Sequence, residues 1–272
     1  MKDAMWTRPG SLPEKFWRDG RSDIPIYDMH CHGGTSPSIY FKNGDMESMV
    51  RNMRSIGVRR AAFCHFHVQL GNWRNEEDYR ICLRYPDLLR MYVVISPKFP
   101  EQVKEDLASF DRWSPFAIGL KVLPDYHLVP LNDPAYEYAL KFADERGLPI
   151  LCHTWGYSQY DSGPIMLEVA QKYPHIRFFM GHCIYGAWEY ARRIVTETPG
   201  NVWLELTCIP GERNRIEELV GYAGSERVLF GTDLPWFDEY QAVGGVLSAK
   251  ISEEDMKNIL YRNVEKMLGE NW

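Results

Sequence analysis

Eight short runs rich in β-branched and aromatic residues recur along the chain, and segments with helical spacing lie between them. The runs are IPIYDMH, RRAAFCHFH, RMYVVISP, AIGLKVLP, LPILCHT, IRFFMGHC, NVWLELTCI and RVLFGTDLP. In DMESMVRNMRSIG, Met46, Met49, Val50 and Met53 form one stripe and Gly57 supplies a C-cap. DPAYEYALKFADERG opens on Asp133 as N-cap, has Pro134 in its first turn and closes on Gly147. The closing segment SEEDMKNILYRNVEKML pairs Ser252 with Asp255 in a capping box that has Asp in the usual Glu place. Strands each followed by a helix, eight times over, predict a (β/α)₈ TIM barrel spanning residues 24–272. A doubly wound sheet is the alternative, and the regular repeats and the positions of the polar residues favour the barrel. Residues 1–23 form an N-terminal extension. Its Trp6, Phe16 and Trp17 are expected to plug the bottom of the barrel or to pack on a partner subunit.

The chain is long enough for one such barrel, and its net charge of −6 and lack of any basic run argue against nucleic acid as a partner. No apolar run approaches the ~20 residues of a membrane span, and the start MKDAMWTRPGSLPEKFW lacks the apolar stretch of a signal peptide. Cys31, Cys64, Cys82, Cys152, Cys183 and Cys208 are scattered and lack C-x-x-C spacing, so they are expected to be reduced, buried thiols in a cytoplasmic protein. Trp6, Trp17 and the acidic surface are compatible with a homodimer, although nothing in the sequence forces one.

Most of the strand ends carry polar residues that do not belong in a plain core. His30 and His32 end the first strand, and His65 and His67 repeat the H-x-H pattern on the second. Lys121 lies on the fourth, His153 ends the fifth, His182 the sixth, Glu205 lies on the seventh and Asp233 ends the eighth. In a barrel these ends share one face, where active sites are found. Asp28, His30 and His32, each two apart, are expected to point the same way along an extended strand. His127 is expected to be an ordinary polar residue of a loop, and His175 to lie at the bottom. Burying so much polar surface is costly unless a metal ion takes up the imidazole and carboxylate lone pairs. Such a donor set suits zinc, and also iron, manganese or nickel. Cys31, Cys152 and Cys183 adjoin these residues in sequence, so alternation turns them outward against the helices.

The motifs DMHCH, LCHTWG, MGHCIYGAWEYA, LFGTDLPW and ISEEDMKNILYRNVEKML resemble those of the amidohydrolase superfamily. The likeness is to its amidohydrolase-2 branch, which includes aminocarboxymuconate-semialdehyde decarboxylase, and it runs from about Ile24 to the C-terminus. The resemblance implies that His30, His32, His153 and Asp233 bind a divalent metal, taken to be Zn²⁺. Asp233 would also act as general base and then acid. His182 would contact substrate or water, or serve a second metal. In binuclear relatives a strand-four lysine is carboxylated and bridges two ions, a role open to Lys121. Lys121 is alternatively an anion-binding residue for a substrate carboxylate, or a partner of Asp125 or Glu205; one or two ions fit, with one favoured. His65 and His67 depart from the family pattern and would contact an anionic substrate if they face the pocket, or else simply line its mouth, while Trp155, Tyr126, Trp236 and Phe237 would shape the rim. The implied activity is hydrolysis of an amide, lactone or ester in a small carboxylate-bearing molecule, because the loops after the strands are short. The alternative is nonoxidative decarboxylation of an aromatic or unsaturated acid. A catalytically silent barrel is the third reading, and no ligand position is missing as it would require.

Overall fold

The computed structural model describes residues 8–34, 40–66, 74–270 and 272. Helix α1 (Leu12–Asp19) precedes strand β1 (Ile26–Gly33), followed by α2 (Met46–Ile56), β2 (Val58–His65), α3 (Asn75–Arg84), β3 (Leu89–Ile95), α4 (Pro100–Ala108) and β4 (Ala117–Val122). A single turn, α5 (Pro124–His127), leads to α6 (Glu137–Arg146), β5 (Pro149–Trp155), α7 (Gly163–Lys172), β6 (Arg177–Tyr185), α8 (Trp188–Glu197), β7 (Val202–Glu205), α9 (Arg215–Ala223) and β8 (Val228–Leu229). Helices α10 (Glu239–Ser248), α11 (Glu253–Lys257) and α12 (Asn263–Leu268) complete the chain. The eight strands are parallel and ordered β1 to β8 around the barrel. Strand β8 is only two residues long, and closure onto β1 continues past it. Met29 N–H donates to Phe230 O at 3.0 Å, His32 N–H to Leu234 O at 2.7 Å, and Asp233 N–H to His30 O at 2.6 Å. This closure fastens the two chain segments that carry His30, His32 and Asp233 directly to each other.

Two apolar layers hold the barrel. Tyr27, Met29, Ala62, Cys64, Tyr92, Val94, Leu151, Phe179 and Leu229 fill the interior. Their strand neighbours, such as Phe63, Cys152 and Met180, face outward and pack with Met53, Leu140, Ile194 and other helix residues. Cys31, Cys152 and Cys183 belong to this outer layer, and all six cysteines are free. Helix α2 ends as its sequence predicts, with Gly57 in the left-handed region, and Asp45 caps its start by accepting from Ser48 N–H. The segment after Asp133 opens with a tighter 3₁₀ turn, Pro134–Tyr136, before α6. The Ser252–Asp255 capping box forms, and a π turn at Asn258–Arg262 joins α11 to α12. Among the described residues no helix is long and apolar enough to cross a membrane.

The bottom of the barrel is closed differently from the expectation. Trp272 is buried there edge-on to Tyr27, with ring centroids 5.4 Å apart, and Arg60 stacks on its outer face. Phe16 and Trp17 instead pack α1 against the outside of α10, where Phe16 meets Tyr240 and Trp17 lies over Gly244. A helix joined to β1 by a short link can lie on the barrel wall, but the C-terminal segment ends directly beneath the strands. Trp6 lies outside the described residues.

Candidate metal centre

The first strand reaches the site through a bulge. Asp28 pairs with Ala61 and Cys31 with Phe63, so β1 spends one more residue than β2 over that interval. An extra residue reverses which side chains face inward. Tyr27 and Met29 therefore point into the barrel, and beyond the bulge His30 and His32 do. Asp28 does not share their direction, contrary to the period-two expectation. It accepts from Thr232 Oγ1 at 2.6 Å, from Thr232 N–H at 3.1 Å and from His30 N–H at 3.0 Å. Burial, against the help of those bonds, pushes its carboxyl up to about 7.

His30, His32 and Asp233 form the one group among the described residues in which three metal-capable side chains converge, with ligand atoms all within 4.8 Å of one another. Asp233 Oδ1 lies 2.9 Å from His32 Nε2 and 3.4 Å from His30 Nε2. The other ring nitrogen of His30, Nδ1, lies 2.9 Å from Glu205 Oε2, and Nε2, which faces Asp233, also lies 2.9 Å from Lys121 Nζ. A lysine ammonium can only donate, so Nε2 accepts and the ring proton sits on Nδ1, toward Glu205. Glu205 is in turn held by the Thr207 N–H at 2.8 Å and hydroxyl at 2.7 Å. This is the arrangement that orients a metal-binding histidine. His32 Nδ1 lies 3.4 Å from the Cys64 thiol.

His153 enters from β5 by regular alternation, and its Nδ1–H donates to the buried Asp161 at 2.6 Å. It stands beside the three converging residues rather than among them. His182 needs a stranger backbone. His182, Cys183 and Ile184 have φ of +65°, +52° and +56°, three successive residues in the left-handed region. Each costs about 1–2 kcal/mol relative to the right-handed form. Ile184 N–H donates to Thr154 Oγ1 at 3.0 Å, Cys183 Sγ to Glu205 O at 3.0 Å, and Gly156 N–H to Tyr185 O at 3.0 Å. This turn brings the His182 ring to 4.9 Å from that of His153 and 5.3 Å from that of His30. Asp233 too is left-handed, at φ +62°.

The charges are arranged to favour a cation. Burial, then Lys121, lowers the affinity of His30 for a proton well below the ordinary value. Burial and the neighbouring His153 do the same to His182. Burial alone would raise the Asp233 carboxyl, but His30, His32 and Lys121 outweigh it and hold it below the usual carboxylate range. Glu205 is pushed up to about 7, by burial first. A His30 imidazole kept neutral beside an ionised Asp233 suits a divalent ion, which binds through deprotonated ligands.

These residues line a cavity of about 160 Å³ at the C-terminal face, with Lys121, Leu123, Tyr126, Trp155, Cys208, Trp236 and Phe237 as the remaining wall. Trp155 stacks on Tyr185 at 4.8 Å, and Tyr126 stands edge-on to His153 at 5.2 Å. Trp236 packs edge-on against Phe41. A larger groove of about 580 Å³ runs beside α2 and shares only Trp236 and Phe237 with this wall. Lys121 is fully buried and pairs with neither Asp125, which accepts from Ser158, nor Glu205. His65 does not reach the cavity. On β2, Cys64 faces inward, so His65 faces out: its ring lies against Gly34 and its backbone N–H donates to Asp78. The inward position beyond it belongs to Phe66, 5.0 Å from the His32 ring. His67 lies outside the described residues. His127 ends the α5 turn, rather than lying in a loop, and is buried near Tyr136.

Gly231 is dictated by the same packing. A Cβ there would sit 2.0 Å from Glu205 Oε1 and 2.9 Å from His30 Cβ. Gly231→Ala is expected to lower the thermal midpoint by an overpacking cost of about 1–3 kcal/mol. An unchanged melting curve would mean that the wall behind His30 yields freely.

The amidohydrolase family profile of the amidohydrolase-2 branch matches residues 27–269, so the chain belongs to that family. No curated protein matches it in sequence. Among solved structures it is similar to 5-carboxyvanillate decarboxylase from Novosphingobium aromaticivorans, complexed with manganese and 4-hydroxy-3-methoxy-5-nitrobenzoic acid. The two are 13% identical with a TM-score of 0.71, over 90% of this chain and 96% of that one. A 2,6-dihydroxybenzoate decarboxylase complexed with 2,6-dihydroxybenzoate is 14% identical, with a TM-score of 0.74 over 89% and 98% of the two chains. A TIM-barrel protein from Bordetella bronchiseptica is 15% identical, with a TM-score of 0.73 over 91% and 99%. At these identities the likeness establishes the barrel fold.

Proposed function

We propose that the protein is a metal-dependent nonoxidative decarboxylase of a small aromatic or unsaturated carboxylic acid. The observation that carries this reading is Lys121, a fully buried lysine in the wall of an aromatic-lined cavity with no carboxylate within ion-pair distance among the described residues. An unpaired buried cation is costly, and a substrate carboxylate would offset it. The fold-level likeness to decarboxylases of hydroxylated benzoates supports the same substrate class by analogy. It also weakens the loop-length argument for hydrolysis, because 96% and 98% of those decarboxylase chains are covered by this one.

In this reading His30, His32 and Asp233, with His153 beside them, hold a divalent ion such as Mn²⁺ or Zn²⁺. When bound, that ion supplies Lewis acidity toward the substrate oxygens. Glu205 and Asp161 orient His30 and His153 through their Nδ1 protons. Lys121 holds the carboxylate, and Trp155, Tyr126 and Trp236 flank the ring. His182, kept neutral, donates a hydrogen bond to a substrate oxygen. The bond between ring carbon and carboxylate breaks, CO₂ leaves, and the electron pair stays on the carbon. That carbon takes a proton which comes from solvent by way of Asp233.

Hydrolysis of an amide, lactone or ester is the second reading. It is favoured by the ionised Asp233, which is suited to take a proton from an attacking water. The two separate in one assay. Protein reconstituted with Mn²⁺ or Zn²⁺ is incubated in D₂O with hydroxylated benzoates, and in ¹⁸O-water with simple lactones and anilides. The expected result is CO₂ release with one deuterium on the product ring. Incorporation of ¹⁸O without CO₂ would replace decarboxylation by hydrolysis.

A further inference from the structure

We propose that Lys121 competes with the metal for His30, so that loading the ion frees this lysine for the anionic substrate. The proposal rests on the metal-dependent reading above and adds to it the order in which the site is assembled.

The argument starts from one lone pair. The His30 ring proton is committed to Glu205 at 2.9 Å, which leaves Nε2 as the only acceptor on the ring. Nε2 is also the nitrogen that faces Asp233, 3.4 Å from its Oδ1, in the group that His30 forms with His32 and Asp233. Lys121 Nζ donates to this same nitrogen at 2.9 Å. One lone pair cannot serve an ammonium proton and a metal ion together. The two are also like charges in a buried site, so each raises the energy of the other.

The lysine cannot retreat to a protein anion. Its side chain rises from the C-terminal end of β4, where Lys121 is held in register between Val94 of β3 and Leu151 of β5. Glu205 is used by Thr207 and His30, and Asp233 by the two histidines. Asp125 is bonded to Ser158. What remains open to Nζ is the cavity, whose wall Lys121 shares with Tyr126 and Trp155. An ion at His30 would therefore leave Lys121 with the cavity alone, where a substrate carboxylate is the partner within its reach. A protein lacking this lysine should hold metal more tightly and bind the substrate anion more weakly.

The experiment is a titration of Mn²⁺ and Zn²⁺ against a chromophoric chelator, with wild type, Lys121→Met and Lys121→Gln. Lys121→Met is expected to bind the ion about tenfold more tightly or better, as removal of a like charge at a few ångströms requires. Lys121→Gln, neutral but still able to donate a hydrogen bond, should fall between and covers the case in which Lys121→Met does not fold. Affinity unchanged or weakened in both variants would overturn the proposal. A fall from two bound ions to one would overturn it in a different way, by making Lys121 a bridging ligand. Wild type that binds no divalent ion would sink the metal-dependent reading itself, whereas a wild type that binds and variants that bind no better would sink only the competition. Benzoate as probe closes the test: it should bind metal-loaded wild type and show at least a tenfold loss in metal-loaded Lys121→Met. Equal affinity for both would overturn the substrate half of the proposal.

Discussion

Asp233→Asn is expected to leave the protein folded while lowering kcat by about a hundredfold to ten-thousandfold, the range typical of a lost acid–base group. The substitution is close to neutral for the backbone. Asp233 has φ +62°, a region that Asn enters as readily as Asp, and its N–H bond to His30 O does not involve the side chain. The amide oxygen can still accept from His32. What it loses is charge. His30, His32 and Lys121 hold the carboxyl ionised against its own burial, and an amide can neither carry a proton to the substrate nor neutralise a divalent ion. Metal affinity should therefore weaken as well, so turnover is compared at saturating metal, with the melting curve as the control for folding. Turnover near the wild-type rate under those conditions would remove Asp233 from the proton path.

The barrel was legible because its two periodicities are local. Alternation along a strand and a stripe along a helix both follow from backbone geometry, and eight repeats of the pair leave few alternatives. The site was legible where alternation ran undisturbed up to the residue, as at His153. It misled where one residue was added. The two H-x-H motifs, HCH at His30 and HFH at His65, look equivalent in sequence. A bulge before His30 turns its pair inward and Asp28 outward, whereas the regular alternation of β2 turns His65 outward. No local pattern announces the bulge. Asp161 escaped notice for another reason: it reaches His153 from a loop, eight residues away, and loops have no period to read. Glu205 was visible as an odd carboxylate on a strand, but its bond to His30 joins residues far apart in sequence. The three left-handed residues at His182 are equally silent, since His, Cys and Ile do not advertise that conformation. The misplaced plug shows the same limit at the level of the fold, because nothing along the chain says that Trp272, rather than Phe16 or Trp17, ends up beneath the strands.

His30→Ala should have the widest effect of any single change, because three buried groups depend on that ring. The metal loses a ligand atom that faces both other members of the converging set. Glu205, fully buried, loses the Nδ1 proton and keeps only its bonds to Thr207. Lys121, equally buried, loses the acceptor at 2.9 Å. Removing one partner from a buried charged network costs about 3–5 kcal/mol. A chain of this length converts each kcal/mol into about 2–4 °C, so a fall of roughly 6–20 °C in thermal midpoint should accompany the loss of metal. His32→Ala separates the two effects. His32 touches Asp233 and the Cys64 thiol but neither Glu205 nor Lys121 through a hydrogen bond, so it should lose metal with a smaller loss of stability. Calorimetry and elemental analysis of the two variants together make the comparison. Full metal content in His30→Ala would exclude it as a ligand. A melting point no lower than that of His32→Ala would mean that Glu205 and Lys121 find other partners, and the network drawn around His30 would have to be redrawn without it at the centre.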